Sequence, residues 1–256
     1  MVPPEIISFD LFDTLVVVRG FEPKQAFEKS YQTLCSIKSL SDRELSYEQF
    51  FLKYRTKIRF YLNQRQKTGI DFTNDELIIK MLEEFQINLD TSQATQIANA
   101  YFEALLPYTI PFPGLRETLE FLAQDYQLIL TSNHSWPAHG ISTLEKVGIN
   151  NLFVKKTFSG KVGWAKPYSQ IWEESIADLN VNKNQILHVG DNPRTDIDGA
   201  INFGLLACWY KSRSHFKYSK EKKVPIEPKT THSPNFLGII NELNELPGLL
   251  KKLFPD

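Results

Sequence analysis

Short apolar segments recur along this chain, with amphipathic helical patterns between the later ones, and this alternation most constrains the fold. The segments are rich in Ile, Leu, Val and aromatic residues and end in polar residues, as buried parallel strands do. We predict strands at Glu5–Phe9, Tyr126–Leu130, Asn151–Phe158, Gln185–Val189 and Leu205–Tyr210. We predict helices at Gly114–Gln124, Pro137–Val147, Tyr168–Leu179 and Arg194–Phe203. This alternation predicts an α/β fold, a Rossmann-like parallel sheet with helices on both faces.

The connection after the first strand departs from this alternation. It runs from Phe9 to Pro111 without a convincing strand, and a structureless loop of that length is rare. Amphipathic helical patterns cover Pro23–Ile37, Ser46–Lys67, Thr73–Phe85 and Thr91–Leu106. We therefore predict an all-helical cap domain at residues 19–107. Residues 1–18 and 108–256 would form the core domain, including a basic loop at 211–233 and a C-terminal helical segment at Phe236–Phe254.

Charge and cysteine content narrow the class of protein. The chain has 29 basic and 30 acidic residues, which gives no support for nucleic acid or an anionic membrane as the main partner. Cys35 and Cys208 match neither a zinc site nor a disulfide scaffold, which fits a reducing compartment. No signal peptide or membrane-length apolar run is recognised. We expect a cytoplasmic monomer or homodimer that acts on a small molecule.

Polar side chains follow three of the predicted strands. Asp10 follows the first strand, Ser132 and Asn133 follow the second, and Asp191 follows the fourth. Ligands of such sheets bind beyond the carboxyl ends of the strands, so we expect these side chains to converge on one rim. Two neighbouring carboxylates need a cation, and oxygen-only ligands suit Mg²⁺. The sequence therefore predicts Asp10 and Asp191 as Mg²⁺ ligands.

Three residues have side chains that suit phosphoryl transfer, and we predict them as catalytic: Asp10, Ser132 and Lys166. Asp10 could attack phosphorus and form an aspartyl phosphate. Ser132 could donate a hydrogen bond to a phosphoryl oxygen. Lys166 lies in a loop before a predicted helix, where it could offset the charges of the nucleophile and the phosphoryl group.

Three further candidates have both a functional and a structural interpretation. His134 directly follows Asn133 and could protonate a leaving group, or simply be a solvated or capping loop residue. Arg55 and Arg59 share a helix face because they are four residues apart. They could clamp a substrate carboxylate or a second phosphate, or lie in solvent. We retain all three as candidate substrate-binding residues.

Four short motifs occur in a fixed order along the chain. They are Asp10-Leu-Phe-Asp-Thr14-Leu15, Thr131-Ser132-Asn133, Lys166-Pro167 and Gly190-Asp191-Asn-Pro-Arg-Thr-Asp196-Ile-Asp-Gly-Ala200. Each is weak alone. Together, in this strand context, they resemble the four motifs of the haloacid dehalogenase-like hydrolase superfamily, over Glu5 to Tyr210. The helical insertion after the first motif resembles the type 1 cap of the first subfamily.

The resemblance implies roles for the residues that match the motifs. Asp10 matches the nucleophile and a metal ligand. Ser132 matches the phosphate donor and Lys166 the lysine of the third motif. Asp191 and the backbone carbonyl of Phe12 match metal ligands.

Four other positions receive supporting roles. Thr14 matches the hydroxyl that holds the first-motif loop, and we group it with Asn133 as substrate-binding. Asp196 matches the second acidic position of the fourth motif, outside the direct metal ligands. We place Asp13 in the same outer group.

One departure from the family pattern concerns the general acid. Family phosphatases carry a second Asp two residues after the nucleophile, where this chain has Phe12, and Asp13 stands one position later, where glycine is common. Loss of general acid–base help typically lowers rates by ~10²–10⁴-fold, and least for good leaving groups. The family's dehalogenases carry an aromatic residue here, but they use no metal and lack the Gly190-Asp191 pattern. We predict a Mg²⁺-dependent phosphatase of a small phosphorylated metabolite. A metal-independent 2-haloacid dehalogenase and a catalytically impaired binding protein remain alternatives.

Overall fold

The computed structural model describes residues 2–38, 44–211 and 227–255. Its strands are β1 (Ile6–Phe9), β2 (Val16–Val18), β3 (Thr109–Pro111), β4 (Gln127–Ser132), β5 (Phe153–Phe158), β6 (Ile186–Gly190), β7 (Leu206–Tyr210) and β8 (Phe236–Ile240). Six of them form a sheet in the order β5-β4-β1-β6-β7-β8, in which neighbouring strands are parallel. This confirms the predicted Rossmann-like α/β class.

Strand β1 lies at the point where the strand order reverses. The chain passes from β1 to β4 and β5 on one side, then to β6, β7 and β8 on the other. Ile6 is therefore in register with Gln127 of β4 and with Ile186 of β6. Such a reversal opens a crevice at the carboxyl ends of the strands.

The insertion between β2 and β3 is helical, as predicted. Its helices are α1 (Pro23–Lys38), α2 (Tyr47–Thr68), α3 (Asn74–Leu82) and α4 (Thr91–Leu105). Ser46 and Gln49 form a capping box at the start of α2, and Gly69 ends the helix in the left-handed conformation. The four helices bury a hydrophobic cluster, which Trp136 from beyond the insertion also joins. The β2–β3 ribbon flanks residues 19–107, and the division into two domains stays a prediction.

The remaining helices cover both faces of the sheet. They are α5 (Leu115–Leu122), α6 (Pro137–Lys146), α7 (Ser159–Val162), α8 (Ser169–Ile176), α9 (Gly199–Phe203) and α10 (Leu246–Leu253). Successive strand residues face opposite sides. Ile7 packs in the cluster with α5, α6 and α10, whereas Ile6 packs in the cluster with α8 and α9. A π-helical turn at Pro193–Asp198 leads from β6 into α9.

Two parts of the fold differ from the predictions. The helical interpretation of Phe236–Phe254 is wrong at its start, because Phe236–Ile240 is β8, paired with β7, and α10 begins only at Leu246. The apolar run of β8 is close in sequence to the apolar face of α10, and together they mimic one helical pattern. The basic segment at 211–233 lies mostly outside the described residues. No helix in the described ranges is both long and apolar enough to cross a membrane.

Candidate active site

The carboxyl ends of β1, β4 and β6 meet at one cleft of about 300 Å³. The parallel pairing of these strands brings Asp10, Ser132 and Asp191 to the same rim. Of the predicted site residues, the cleft is lined by Asp10, Phe12, Asp13, Ser132, Asn133, Lys166, Asp191 and Asp196. Thr14, His134, Arg55 and Arg59 are not among its lining residues. The catalytic and binding roles of all these residues stay predictions.

Lys166 lies at the centre of the cluster. Its buried ammonium donates to Asp10 Oδ1 at 2.8 Å and to the carbonyl oxygen of Thr131 at 2.7 Å, and it lies 2.7 Å from Asp196 Oδ1. Asn133 fixes the backbone of Lys166, since its Oδ1 accepts from the Lys166 N–H at 2.7 Å and its Nδ2 donates to the Lys166 carbonyl at 3.0 Å. The amide of Asn133 thus holds the lysine loop.

Burial and charge shift the pKa values of this cluster. Burial raises the pKa of the Asp10 carboxyl to about 7, Lys166 opposes the rise, and the neighbouring Asp196 and Asp191 add to it. Burial by itself lowers the pKa of Lys166, but the carboxylates of Asp10 and Asp196 reverse that effect and raise the pKa above its ordinary value. Additional positive charge near Asp10 would therefore favour its ionised form.

Three carboxyl groups fit a divalent cation. Asp10, Asp191 and Asp196 each offer an oxygen, and these oxygens lie within 4.8 Å of one another. The Lys166 ammonium offsets one of the three negative charges, so a divalent ion would balance the other two. Carboxylate oxygens are ligands that hard divalent cations take. The buried position of this cluster and its excess negative charge match such a site.

Thr14 and Asp196 support the cluster from the side. The Thr14 hydroxyl donates to Asp191 Oδ1 at 3.4 Å. Asp196 Oδ2 accepts from the backbone N–H of Asn192 at 2.8 Å, while its Oδ1 faces Lys166. Asp196 therefore contacts Lys166 directly, and its predicted position outside the direct metal ligands stays a prediction.

A chain of buried polar groups lies beneath the cleft. The Ser8 hydroxyl is 3.0 Å from Thr131 Oγ1 and 2.9 Å from His188 Nδ1, and His188 Nε2 is 3.6 Å from Asp196 Oδ1. Burial lowers the pKa of His188 to about 4, so the ring is neutral at neutral pH. These groups link the floor of the sheet to the Lys166–Asp196 pair.

The loop after β1 holds Phe12 and Asp13 in different environments. Asp13 has a φ of +64°, in the left-handed region that favours glycine, and its backbone N–H donates to the carbonyl oxygen of Val16 at 2.7 Å. Its carboxyl group lines the cleft. The Phe12 ring lies against two imidazoles, His134 at 4.9 Å and His139 at 5.6 Å between centroids.

His134 is bound to another histidine. Its Nε2 lies 3.0 Å from His139 Nδ1. Desolvation lowers the pKa of His134 well below its ordinary value, and His139 and Arg65 add to the effect. Burial lowers the pKa of His139 to about 4. Both rings are therefore uncharged at neutral pH, which weakens the case for His134 as a proton donor.

The helical insertion contributes a different part of α2 to the cleft from the one that was predicted. Arg55 and Arg59 are exposed, whereas Arg65 and Gln66, in the last turn of α2, line the cleft. The cleft is also lined by Asn192, Arg194 and Thr195 from the turn after β6, which no sequence pattern had predicted. One feature of the sequence could have indicated Arg65: it lies shortly before Gly69, which ends the helix, and before the acidic Asp71.

Backbone hydrogen bonds join the end of α2 to the lysine loop. The Ala165 N–H donates to the Gly69 carbonyl at 2.8 Å, and the Asp71 N–H donates to the Gly163 carbonyl at 2.9 Å. Tyr168 adds a bond from its hydroxyl to the Lys67 carbonyl at 3.0 Å. We call these contacts the cap–lysine bridge. The bridge fixes the last turn of α2 relative to Lys166.

Comparison with known families and curated proteins points to hydrolases. A family model described as haloacid dehalogenase-like hydrolase matches residues 4–204. The chain is 30% identical over 130 residues to the 5-amino-6-(5-phospho-D-ribitylamino)uracil phosphatase YigB of Escherichia coli K12, covering 49% of this chain and 53% of that protein. It is 27% identical over 158 residues to the pyrimidine 5'-nucleotidase YjjG of the same organism, covering 61% and 64%. The chain thus spans about half to two thirds of these curated relatives.

Solved structures share the fold over the whole chain. A 2-haloacid dehalogenase from Pseudomonas syringae pv. Tomato DC3000 superposes with a TM-score of 0.63, covering 98% of this chain and 99% of that one. The sequence identity is 21%. At that level the likeness shows a common fold.

Proposed function

The chain belongs to the haloacid dehalogenase-like hydrolase family, and we propose that it is a Mg²⁺-dependent phosphatase of a small phosphorylated metabolite. The observation that carries this proposal is the cluster of Asp10, Asp191 and Asp196, of which Asp10 and Asp196 contact the Lys166 ammonium. The relatives named as a phosphatase and a nucleotidase support it. The cleft volume of about 300 Å³ suits a small ligand.

The proposed reaction has two displacements at phosphorus. An Asp10 oxygen forms a bond to phosphorus, the ester P–O bond breaks, and the leaving oxygen takes a proton from solvent. Water then attacks the aspartyl phosphate and gives up a proton to solvent. The bond between phosphorus and the Asp10 oxygen breaks, Asp10 returns as a carboxylate, and inorganic phosphate leaves. Lys166 holds Asp10 at 2.8 Å and offsets negative charge near the phosphoryl group. Ser132, at the end of β4, orients a phosphoryl oxygen.

The metal would be held by the carboxylates of Asp10 and Asp191 and by the backbone carbonyl of Phe12. When bound, Mg²⁺ supplies positive charge to the phosphoryl oxygens. Asp196 keeps Lys166 in place, and the Thr14 hydroxyl orients Asp191. The extra positive charge would also favour the ionised form of Asp10, the form that attacks.

The wider setting is part of the same proposal. Substrate would enter between the core and a type 1 cap at residues 19–107. A cytoplasmic location is supported by the unpaired state of Cys35 and Cys208. We keep a monomer or homodimer as the proposed assembly.

A metal-independent dehalogenase is the second candidate, and the Phe12 ring favours it. An aromatic side chain at the cleft wall suits displacement of halide from carbon, which needs no leaving-group acid. The three carboxyl groups disfavour this reaction, because an uncompensated acidic cluster would repel a carboxylate substrate.

Hydrolysis of para-nitrophenyl phosphate, with and without Mg²⁺, tests the proposal. We expect release that depends on Mg²⁺, and a loss of at least about 1,000-fold in Asp10→Asn. Asp125→Asn, which alters an exposed carboxyl group, is the matched control and should retain turnover. Retained turnover in Asp10→Asn would contradict the mechanism. Chloride release from 2-chloropropionate in the presence of a chelator would support the dehalogenase instead.

A further inference from the structure

We propose that the mouth of the cleft is a second anion site, in which Arg65 and Arg194 bind a carboxylate or a second phosphate of the substrate. This inference rests on the proposed function, because it assumes that the phosphoryl group lies at Asp10. It names a substrate class: phosphate esters with a further acidic group on a short carbon chain.

The cleft has two kinds of cationic side chain: a lysine that contacts the carboxylates of the reaction centre, and arginines that do not. Lys166 is engaged by Asp10, Asp196 and a carbonyl oxygen, so its charge serves the reaction centre. Among the residues that the structure describes, the other two cations that line the cleft are Arg65 from α2 and Arg194 from the turn after β6. Guanidinium groups bind carboxylates and phosphates through paired N–H donors, which suits them to recognise an anion.

Arg65 is held in place by a buried partner. Its Nη1 lies 3.3 Å from Asp71 Oδ2, and the Asp71 side chain is fully buried behind it. Asp71 Oδ1 accepts from the backbone N–H of Phe72 at 2.9 Å, so the carboxylate is well satisfied. A guanidinium has five N–H donors, and 21% of the Arg65 side chain is exposed. Arg65 therefore reaches the cleft with donors that Asp71 does not use.

Arg194 comes from the π-helical turn after β6, and the Asn192 side chain holds the backbone of that turn. The Asn192 side chain accepts from the backbone N–H groups of Arg194 and Thr195 at 3.1 and 3.2 Å. The same π-helical turn carries Asp196, which contacts Lys166. Among the described residues, Arg194 has no carboxylate partner within salt-bridge distance. Its charge is therefore available to a ligand.

The cap–lysine bridge sets the distance between the two anion sites. The Gly69–Ala165 and Asp71–Gly163 hydrogen bonds tie the last turn of α2 to the loop that carries Lys166. Arg65, in that turn, therefore keeps a fixed position relative to the reaction centre. A substrate would be selected by whether its second acidic group reaches Arg65 when its phosphoryl group is at Asp10.

The test compares matched substrates that differ in the second group. Phosphoglycolate carries a carboxylate, ethylene glycol bisphosphate a second phosphate, and 2-hydroxyethyl phosphate an uncharged hydroxyl. We expect wild-type kcat/KM for at least one substrate with an anionic second group to exceed that for the hydroxyl substrate by about 10-fold to 100-fold, as charged hydrogen bonds predict. The carboxylate and bisphosphate arms identify which anion is preferred. Arg65→Gln and Arg194→Gln should lower this ratio mainly through KM.

Three variants keep the result interpretable. Arg116→Gln changes an exposed arginine of α5 that does not line the cleft, and it should leave the ratio at its wild-type value. Arg65→Gln/Asp71→Asn removes the buried pair together, so that no unpaired carboxylate is left to destabilise the fold. Arg65→Lys keeps the positive charge and should retain part of the preference. A wild-type ratio near one, or an unchanged ratio in both the double variant and Arg194→Gln, would overturn the anion site.

A binding measurement separates this inference from the proposed function. Calorimetry with phosphonoacetate and methylphosphonate needs no turnover. We expect the carboxylate-bearing phosphonate to bind at least about 10-fold more tightly, and the difference to shrink in the arginine variants. Turnover of all esters at equal rates would overturn the anion site alone. Preferential phosphonoacetate binding without any Mg²⁺-dependent turnover would overturn the phosphatase and leave the anion site standing.

Discussion

The phenyl ring of Phe12 stacks on the imidazole of His139, with centroids 5.6 Å apart and ring planes 10° from parallel. The family resemblance puts a proton-transferring carboxyl group at this position. Here the aromatic side chain fills it, and desolvation keeps the neighbouring His134 and His139 uncharged. In the proposed mechanism the leaving group would then take its proton from solvent, which would favour substrates with good leaving groups.

Phe12→Asp should restore general acid catalysis for substrates with poor leaving groups. We expect the rate with glycerol phosphate, relative to para-nitrophenyl phosphate, to rise by about 100-fold, the lower end of what a positioned general acid contributes. Phe12→Asn is the matched control, because its side chain has nearly the same shape and no proton of suitable pKa. An equal rise in both variants would show that space, rather than proton transfer, limits the reaction.

Much of the fold was predictable because buried parallel strands have a local signature. The central strands are short apolar runs ending in polar residues, and the register of Ile6 with both neighbours places them side by side. Strand β8 was not predictable in this way, since its membership depends on pairing with β7 rather than on its own residues. The ribbon strands β2 and β3 are three residues each, too short to show a period.

The part of the candidate site formed by the ends of strands was predictable from the sequence. The part formed by the helical insertion was not. Asp10, Ser132 and Asp191 follow neighbouring parallel strands, so the topology alone brings them together. Periodicity shows that Arg55 and Arg59 share a helix face, but it does not say which face meets the core. Arg65 reaches the cleft because the bridge beyond Gly69 orients α2, and that contact involves residues far apart in sequence.

Lys166→Met should destabilise the fold and strengthen metal binding. The substitution leaves Asp10 and Asp196 buried without their shared cation, and breaking such a buried pair typically costs about 3–5 kcal/mol. Added Mg²⁺ should then raise the melting temperature more in the variant than in wild type, because the site has more uncompensated negative charge. Differential scanning fluorimetry over a Mg²⁺ series measures both effects. Lys161→Met, at an exposed lysine, should behave as wild type, and equal Mg²⁺ shifts in all three proteins would contradict the electrostatic account.

Acidification should destabilise the protein through its buried histidines. Burial lowers the pKa of His139 to about 4, against about 6.5 in an unfolded chain. Between these values the unfolded state takes up a proton that the folded state does not, so stability falls as the pH falls. His139→Phe removes this proton and should reduce the slope by up to about 1.4 kcal/mol per pH unit.

Urea unfolding at several pH values between 7 and 4.5 measures that slope. Phe is a suitable replacement because His139 already packs among the rings of Phe12 and Phe102. His232→Phe changes an exposed histidine and is the control that should keep the wild-type slope. A His139→Phe slope equal to that of wild type would show that His139 is not the source. Asp10 acts in the opposite direction, because its raised pKa stabilises the folded state at low pH, so the comparison of slopes is the informative quantity.

The cap–lysine bridge offers a pair of glycines for a matched test. Gly69 and Gly163 both have a φ of +79° and lie on opposite strands of the bridge. A Cβ at Gly69 would lie 2.3 Å from the Tyr168 ring, whereas a Cβ at Gly163 would have nothing within 4 Å. Alanine at either position costs about 1–2 kcal/mol for the left-handed backbone. Gly69→Ala should add about 1–3 kcal/mol for overpacking.

The functional consequence of that clash should follow the last turn of α2. Because Arg65 and the bridge move together, Gly69→Ala should raise KM for the preferred anionic substrate more than Gly163→Ala does. Gly69→Ala/Tyr168→Ala removes the clash, so it should be more stable than the sum of the single effects predicts. Urea unfolding and steady-state kinetics of five proteins give the comparison: wild type, Gly69→Ala, Gly163→Ala, Tyr168→Ala and the double variant. Equal losses of stability and equal increases in KM in Gly69→Ala and Gly163→Ala would mean that the Tyr168 ring moves aside at no cost. They would also mean that the bridge does not constrain the last turn of α2.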